Sequence, residues 1–180
     1  PVGPQEDIGE IDQKGTTVCF WPDDEIFTDL EYHFEILSSR LRELAFLNKG
    51  LTITLTDTRE ERDPEKHHLE FCYPGGISAF VEHIDKNKKP LFEKPIYFTR
   101  EDGSVPVEVA LQYNESYQEN FYSFVNNVNT HEGGTHVSGF KAALTRAINK
   151  FASENLAKGK KDVTLSGDDM REGLIGVLSV

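Results

Sequence analysis

Two adjacent glycines directly before a helix-patterned segment are the feature that most constrains this chain. Gly133 and Gly134 precede Thr135, and glycine reaches backbone conformations with positive φ at no steric cost. From 135 to 153 the apolar residues recur at helical spacing; they are Val137, Phe140, Leu144, Ile148 and Phe151. The pattern predicts a tight turn that aims an amphipathic helix, with Thr135 as its cap and this apolar stripe buried.

The remaining periodicities predict an α/β (α+β) fold with mixed or antiparallel sheets. Helical spacing is found in two further segments, 29–47 and 77–87. Alternating or β-branched runs predict strands at 16–21, 51–56, 67–73, 96–100, 105–113, 121–128 and 174–180. Ser166 and Asp169 have the spacing of a capping box before a helical turn. The turn-forming run at 74–76 predicts a boundary between two units, 1–75 and 76–180.

The charge balance excludes broad binding of nucleic acid by the chain as a whole. The net charge is −12, and phosphate contacts need clustered lysine and arginine. One basic zone exists, at 141–161, with five lysines and one arginine against Glu154. On a helical wheel Lys141 lies beside the apolar stripe, whereas Arg146 and Lys150 lie together on the opposite side. The zone is either an ordinary solvated face or a positive surface that meets DNA or a neighbouring domain.

The individual motifs point to no catalytic or metal site. The Gly133-Gly134-Thr135 step could hold a phosphate on backbone N–H groups, but it lacks the established phosphate-loop patterns. His131 and His136 are five residues apart, not the four of a helical zinc motif. No apolar run reaches the roughly 18 residues of a membrane helix. The absence of a signal sequence and two cysteines in apolar runs, Cys19 and Cys72, predict a cytoplasmic protein with buried free thiols.

Six segments together resemble the family of bacterial DNA gyrase B subunits, which are type IIA topoisomerases. They occur in the family's order and cover nearly the whole chain: 15–23, 40–50, 73–77, 107–112, 130–149 and 171–174. The resemblance implies that 1–75 is the later half of an ATPase domain of the Hsp90 and histidine-kinase class. It implies that 76–180 begins a transducer domain with a fold like domain 2 of ribosomal protein S5.

The resemblance assigns few functional residues to this chain. Thr16 matches a position that helps to hold the adenine of ATP through water, and Val18 matches a position that lines the adenine pocket. The family's catalytic glutamate, magnesium-holding asparagine, adenine-reading aspartate and glycine-rich lid would precede Pro1, and its γ-phosphate lysine would follow Val180. The isolated chain is therefore expected to be inactive and to bind no cofactor, whereas the parent protein would use ATP and Mg²⁺.

The resemblance also implies partners and a role. The partners would be DNA, the A subunit of gyrase and a second B subunit in an A2B2 heterotetramer, and the role would be to relay ATP-driven conformational change to the DNA gate. Lys141, Arg146 and Lys150 are candidates to line the cavity that DNA enters. Two alternatives stay open, namely the B-type subunit of topoisomerase IV and a non-catalytic interaction module. The charged run 59–66 is longer than in many relatives and is expected to be a surface hairpin.

Overall fold

The computed structural model describes residues 3, 4, 6, 9, 10, 15–59, 63, 67–103, 105–155 and 165–180. The chain divides into two compact units, Pro1–His33 and Phe34–Val180. None of the helices in the described ranges has the length and apolar character needed to cross a lipid bilayer. The predicted hairpin loop at 59–66 and most of the lysine-rich loop that follows residue 155 lie outside the described residues.

In the first unit, the strand predicted at 16–21 is wrong. The described residues of this unit contain no strand or helix, and Val18 and Trp21 are 77% and 83% exposed. A strand satisfies its backbone groups only by pairing with a neighbour, and no second strand is present among these residues. The turn predicted after the run does form, because the Phe27 amide donates to the Asp23 carbonyl at 2.9 Å.

The second unit opens with a helix and a two-stranded ribbon. Helix α1 is Phe34–Leu47, and strands β1 (Thr52–Thr56) and β2 (His68–Cys72) pair antiparallel with Thr52 opposite Cys72. The helix begins five residues later than predicted and ends where expected, at a turn in which Gly50 has φ of +81°. Cys19 and Cys72 are both free and exposed, so their predicted burial is wrong. In β2 the reason is alternation, since the neighbouring Phe71 takes the buried face.

A five-stranded sheet forms the centre of this unit, in the order β3-β4-β7-β5-β6. β7 pairs antiparallel with β4 and parallel with β5, so the sheet is mixed and the predicted fold class is confirmed. Along the chain, helix α2 (Gly76–Asp85) comes before the first strand of the sheet. Helix α3 (Thr135–Asn155) and a 3-10 turn (Asp169–Arg171) come before its last strand, β7. The strands are β3 (Ile96–Arg100), β4 (Val107–Tyr113), β5 (Asn120–Val125), β6 (Val128–Asn129) and β7 (Leu174–Ser179).

The two faces of the sheet carry separate apolar cores. On one face, α1 and α2 cover alternate residues of β4, β5 and β7, namely Ala110, Phe124, Ile175 and Val177. Phe46 of α1 and Phe124 of β5 are the largest fully buried side chains there, and the ring of Phe46 stacks on those of Tyr73 and Phe80 with centroids 3.6 and 4.9 Å away. The apolar stripe predicted for α1 did not include Phe46. The helix contacts both α2 and the β1–β2 ribbon, and its buried residues, Phe46 among them, lie away from the leucine stripe.

On the other face, α3 covers Val109, Leu111, Leu174 and Leu178 through Val137, Phe140 and Leu144. No residue of α3 is fully buried, and Phe151 is 63% exposed. The predicted burial of the whole stripe is therefore wrong, since only its first half lies on the sheet. Gly176 of β7 leaves room for the ring of Phe121, which packs in the same core. A Cβ at position 176 would lie 2.6 Å from that ring.

The strand predicted at 121–128 is a hairpin instead. Asn126 and Asn127 have φ of +49° and +64°, which is the backbone of a two-residue type I′ turn between β5 and β6. Asparagine tolerates this conformation better than most residues. The turn brings Asn127 to α1, where its carbonyl accepts a 2.6 Å hydrogen bond from the Arg40 guanidinium and its side-chain amide donates to Asn48 at 3.2 Å.

A glycine-to-alanine pair tests the turn that leads into β7. Gly173 has φ of +70°, and a Cβ there would collide with the Asn114 carbonyl oxygen and lie 2.7 Å from that of Ser116. Because both contacts are with backbone, we expect Gly173→Ala to lower the free energy of unfolding by about 2 kcal/mol or more. Gly139→Ala is the matched control, since a Cβ there meets nothing within 4 Å and a glycine inside a helix costs about 0.5–1 kcal/mol. Urea unfolding measures both, and equal effects would contradict this account of Gly173.

Candidate nucleotide and DNA contacts

The two predicted nucleotide residues lie in the irregular first unit. Thr16 and Val18 are both exposed, in a segment without regular structure. An adenine site needs an enclosed apolar surface with a few directed polar groups, and these two residues alone do not form one. The described residues also contain no group of three or more His, Cys, Asp or Glu that could hold a metal ion. Within the described part of the chain, Thr16 and Val18 therefore do not by themselves form a site for ATP and Mg²⁺.

The glycine turn is built as a turn that aims α3. Gly133 and Gly134 have φ of +79° and +153°, and the Gly133 amide donates to the Thr130 carbonyl at 2.8 Å. The imidazole of His136 lies against Gly134, where a Cβ would approach the ring to 2.8 Å. The Ser138 amide donates to the Gly134 carbonyl, so Gly134 occupies the cap position and Thr135 is the first helical residue. The predicted turn is confirmed, and the cap assigned to Thr135 is wrong.

A small polar network holds this turn to the sheet. The Thr130 hydroxyl donates to the Ser123 carbonyl at 3.0 Å and lies 2.6 Å from the Ser123 hydroxyl. Nε2 of His136 is 3.1 Å from the same Thr130 oxygen. Since the Thr130 proton is used by the carbonyl, the pattern favours the histidine tautomer that carries its proton on Nε2. His136 thus acts as a brace between the glycine turn and β5.

The three predicted DNA residues of α3 do not form a single cluster. The Lys141 ammonium pairs with the Glu119 carboxylate at 2.5 Å and lies 5.7 Å from the centroid of the Phe121 ring. Arg146 and Lys150 are exposed, and Lys150 is 3.9 Å from Glu154, one helical turn away. Lys141 thus lies at the edge of the contact between α3 and the sheet. Arg146 and Lys150 lie on the side of α3 that faces solvent, as the helical wheel predicts.

Lys141 belongs to a charged cluster with Glu119, Arg171 and Asp168, and sequence reasoning did not identify these three partners. The second oxygen of Glu119 accepts a 3.0 Å hydrogen bond from Nε of Arg171, and a terminal nitrogen of Arg171 pairs with Asp168 at 2.5 Å. Glu119 and Arg171 are 52 positions apart, and no local pattern signals such a pair.

The capping box before Arg171 is confirmed. Ser166 and Asp169 exchange hydrogen bonds, from the Ser166 amide at 3.0 Å and from the Asp169 amide at 3.2 Å. The hydroxyl and amide of Ser166 lower the pKa of the Asp169 carboxyl below its ordinary value. The box begins a single 3-10 turn, which ends at Arg171.

Comparison with solved structures gives the class of the fold. The chain is similar to the 43K ATPase domain of gyrase B from Thermus thermophilus, solved in complex with an aminocoumarin, with a TM-score of 0.73 and 32% identity. That match covers 88% of this chain and 42% of the solved one. The gyrase B subunit of Myxococcus xanthus matches with the same TM-score and 26% identity, and the same shares of the two chains are covered. The fold is thus that of gyrase B ATPase-domain structures.

The sequence comparisons then give the family. The family model described as DNA gyrase B matches residues 76–180, which is more than half of the chain. The chain is 51% identical to the DNA gyrase B subunit of Eisenibacter elegans and 49% identical to that of Halalkalibacterium halodurans, in both cases over its whole length. This chain belongs to the DNA gyrase B family. It spans 38% and 28% of the length of those two relatives.

An isosteric substitution tests the network at the glycine turn. Thr130→Val removes the hydroxyl shared by Ser123 and His136, and we expect it to lower the free energy of unfolding by about 1–2 kcal/mol because the buried Ser123 and the partly buried His136 each lose a hydrogen bond. Thr135→Val makes the same chemical change at an exposed position and should cost much less. Thermal unfolding compares the two variants. A Thr130 variant as stable as the Thr135 variant would show that the network does not hold the turn.

Proposed function

We propose that this chain is part of the B subunit of DNA gyrase, the ATP-dependent subunit of a type IIA topoisomerase that supercoils DNA. One observation carries the proposal: the similarity to gyrase B subunits extends over the whole chain, at 51% identity to one relative and 49% to another. The parent protein is proposed to bind DNA, the A subunit of gyrase and a second B subunit, in the cytoplasm.

Within that subunit, residues 1–75 are proposed to end the ATPase domain and residues 76–180 to begin the transducer. The family match that starts at residue 76 supports the division. The parent would use ATP and Mg²⁺, because the relatives solved as gyrase B include an ATPase domain. Thr16 and Val18 would contribute only one wall of the adenine site. The isolated chain is therefore proposed to be inactive.

The contacts of α1 support a relay role for this part of the subunit. α1 precedes the proposed boundary and packs on α2, which follows it, through the stack of Phe46 on Phe80. Phe46 also belongs to the same apolar core as the buried residues on this face of the sheet. The Arg40 guanidinium also binds the carbonyl of Asn127, at the far hairpin of the same sheet. Because packed aromatic rings do not deform continuously, a displacement of α1 would be passed on to the sheet and to α3 beyond it.

The exposed side of α3 is the proposed DNA-facing surface. Arg146 and Lys150 are exposed there, and exposed cations are the groups that neutralise DNA phosphates. Lys141, the third candidate, lies at the flank of the same helix. The strongly negative remainder of the chain would keep DNA away from other surfaces, since like charges repel at short range.

Reconstitution of the full-length parent with its partner subunit tests the proposal. With ATP and relaxed circular DNA, we expect negative supercoils to appear. Relaxation or decatenation without supercoiling would assign the parent to topoisomerase IV, and no topological change would leave a non-catalytic interaction module. Calorimetry with the isolated chain should detect no ATP binding, with the parent as the positive control. Micromolar affinity of the isolated chain would contradict the assignment of the nucleotide site.

Neutralising the exposed cations tests the DNA surface. We expect Arg146→Gln with Lys150→Gln to raise the DNA concentration that half-stimulates the parent's ATPase by roughly tenfold or more, since each phosphate contact contributes to affinity. The basal ATPase rate should stay unchanged. Lys86→Gln with Lys94→Gln removes the same charge from two exposed lysines outside α3 and should have little effect. Equal loss of basal and DNA-stimulated rates would indicate a folding defect and contradict the assignment.

A further inference from the structure

We infer that Glu119 is a built-in competitor of DNA phosphate for Lys141, so that its carboxylate controls how strongly this flank of α3 binds DNA. The inference rests on the proposed function and deepens it. It starts from an asymmetry among the candidate cations of α3. Arg146 and Lys150 are exposed, whereas the side chain of Lys141 is only 31% exposed and already holds an anion.

The geometry makes Glu119 the resting ligand of Lys141. One carboxylate oxygen of Glu119 lies 2.5 Å from the lysine ammonium, and the other accepts from Nε of Arg171 at 3.0 Å. The ring of Phe121 lies beneath the same ammonium, 5.7 Å from ring centroid to Nζ, and it stacks on Phe140 of α3. An oxyanion that bridges two cations is the arrangement in which a DNA phosphate would bind, with one oxygen for each donor.

Arg171 and Lys141 differ in the carboxylate partners that remain to them if Glu119 loses its charge. Arg171 also pairs with Asp168 at 2.5 Å, so it would remain neutralised. For Lys141, the part of the chain that the structure describes supplies no second carboxylate within ion-pair distance. Removing the Glu119 charge therefore releases one cation, Lys141, and leaves the other in place.

The free-energy cost of separating Lys141 from Glu119 is small. The pair is partly exposed, with 27% of the Glu119 side chain accessible, so water and salt screen it and its net stabilisation is small. A phosphate of DNA carries the same charge as the carboxylate and arrives with many neighbours, so it can replace Glu119 at little cost. Glu119 thus weakens DNA binding at this flank without abolishing it.

The test measures DNA affinity of the full-length parent with its partner subunit, with a short fluorescent duplex of mixed sequence over a series of salt concentrations. We expect Glu119→Gln to bind about five- to tenfold more tightly near 0.1 M salt and to steepen the plot of log K against log salt by about 0.9, the value of one added phosphate contact. The gain should disappear when Lys141→Gln is added to the same protein.

Asp168→Asn is the matched control. It removes the same charge from the same cluster, but Asp168 is 94% exposed and contacts Arg171, not Lys141. We expect this variant to change the affinity less than about twofold, because an exposed charge is screened by salt. An equal gain from Asp168→Asn would overturn the inference, since the effect would then be one of net charge alone.

A second substitution keeps the test valid if Glu119→Gln unfolds, which thermal unfolding would reveal. Glu119→Asp keeps the charge and shortens the side chain by one methylene, so it cannot reach both cations, and an intermediate gain in affinity is expected. A parent that binds DNA with a salt dependence, but equally well with every residue at 119, would overturn the inference and leave the proposed function standing. A parent with no salt-dependent DNA binding would overturn both.

Discussion

Strand β7 is hydrogen-bonded along both edges, antiparallel to β4 and parallel to β5, and its residues 174–178 are buried on both faces. Its side chains alternate between the two cores. Ile175 and Val177 face α1 and α2, whereas Leu174 and Leu178 face α3. A strand buried on both faces must be apolar throughout, and it needs room where neighbours come close. Gly173 and Gly176 provide that room, at the turn into the strand and under the ring of Phe121.

The two faces of this strand are covered to different depths. The α1/α2 side contains the buried rings of Phe46 and Phe80, which stack with the partly buried ring of Tyr73. α3 contributes no fully buried residue: it lies on the sheet through the partly buried Val137, Phe140 and Leu144, and a hydrogen-bond network at its start ties it to β5. A helix held in this way can shift at lower cost than one locked into a core, which suits an element proposed to meet DNA and to take part in a relay of conformational change.

Much of the fold followed from local pattern. The helix predicted at 77–87 forms at 76–85, the strands predicted at 96–100 and 105–113 form at 96–100 and 107–113, and the capping box at Ser166 forms, because each depends on periodicity or on contacts between near neighbours. The strand predicted at 16–21 did not form, since β-branched composition expresses a preference and a strand needs a partner. The hairpin turn at Asn126 and Asn127 was not predicted. Within a run of β-prone residues, the two asparagines are almost the only sequence signal for two successive positive φ values.

The candidate site divides in the same way. The sequence by itself determined the family, the glycine turn that aims α3, and the solvent-facing position of Arg146 and Lys150, because these depend on motif order and on the 3.6-residue period of a helix. Only the tertiary structure decided that Phe46 joins α1 to α2 in the core beside the sheet, that Phe151 stays exposed, and that Lys141 is held by Glu119. The physical reason is distance along the chain: Glu119 meets Arg171 across 52 positions, and such a contact exists only after the sheet has brought its loops together.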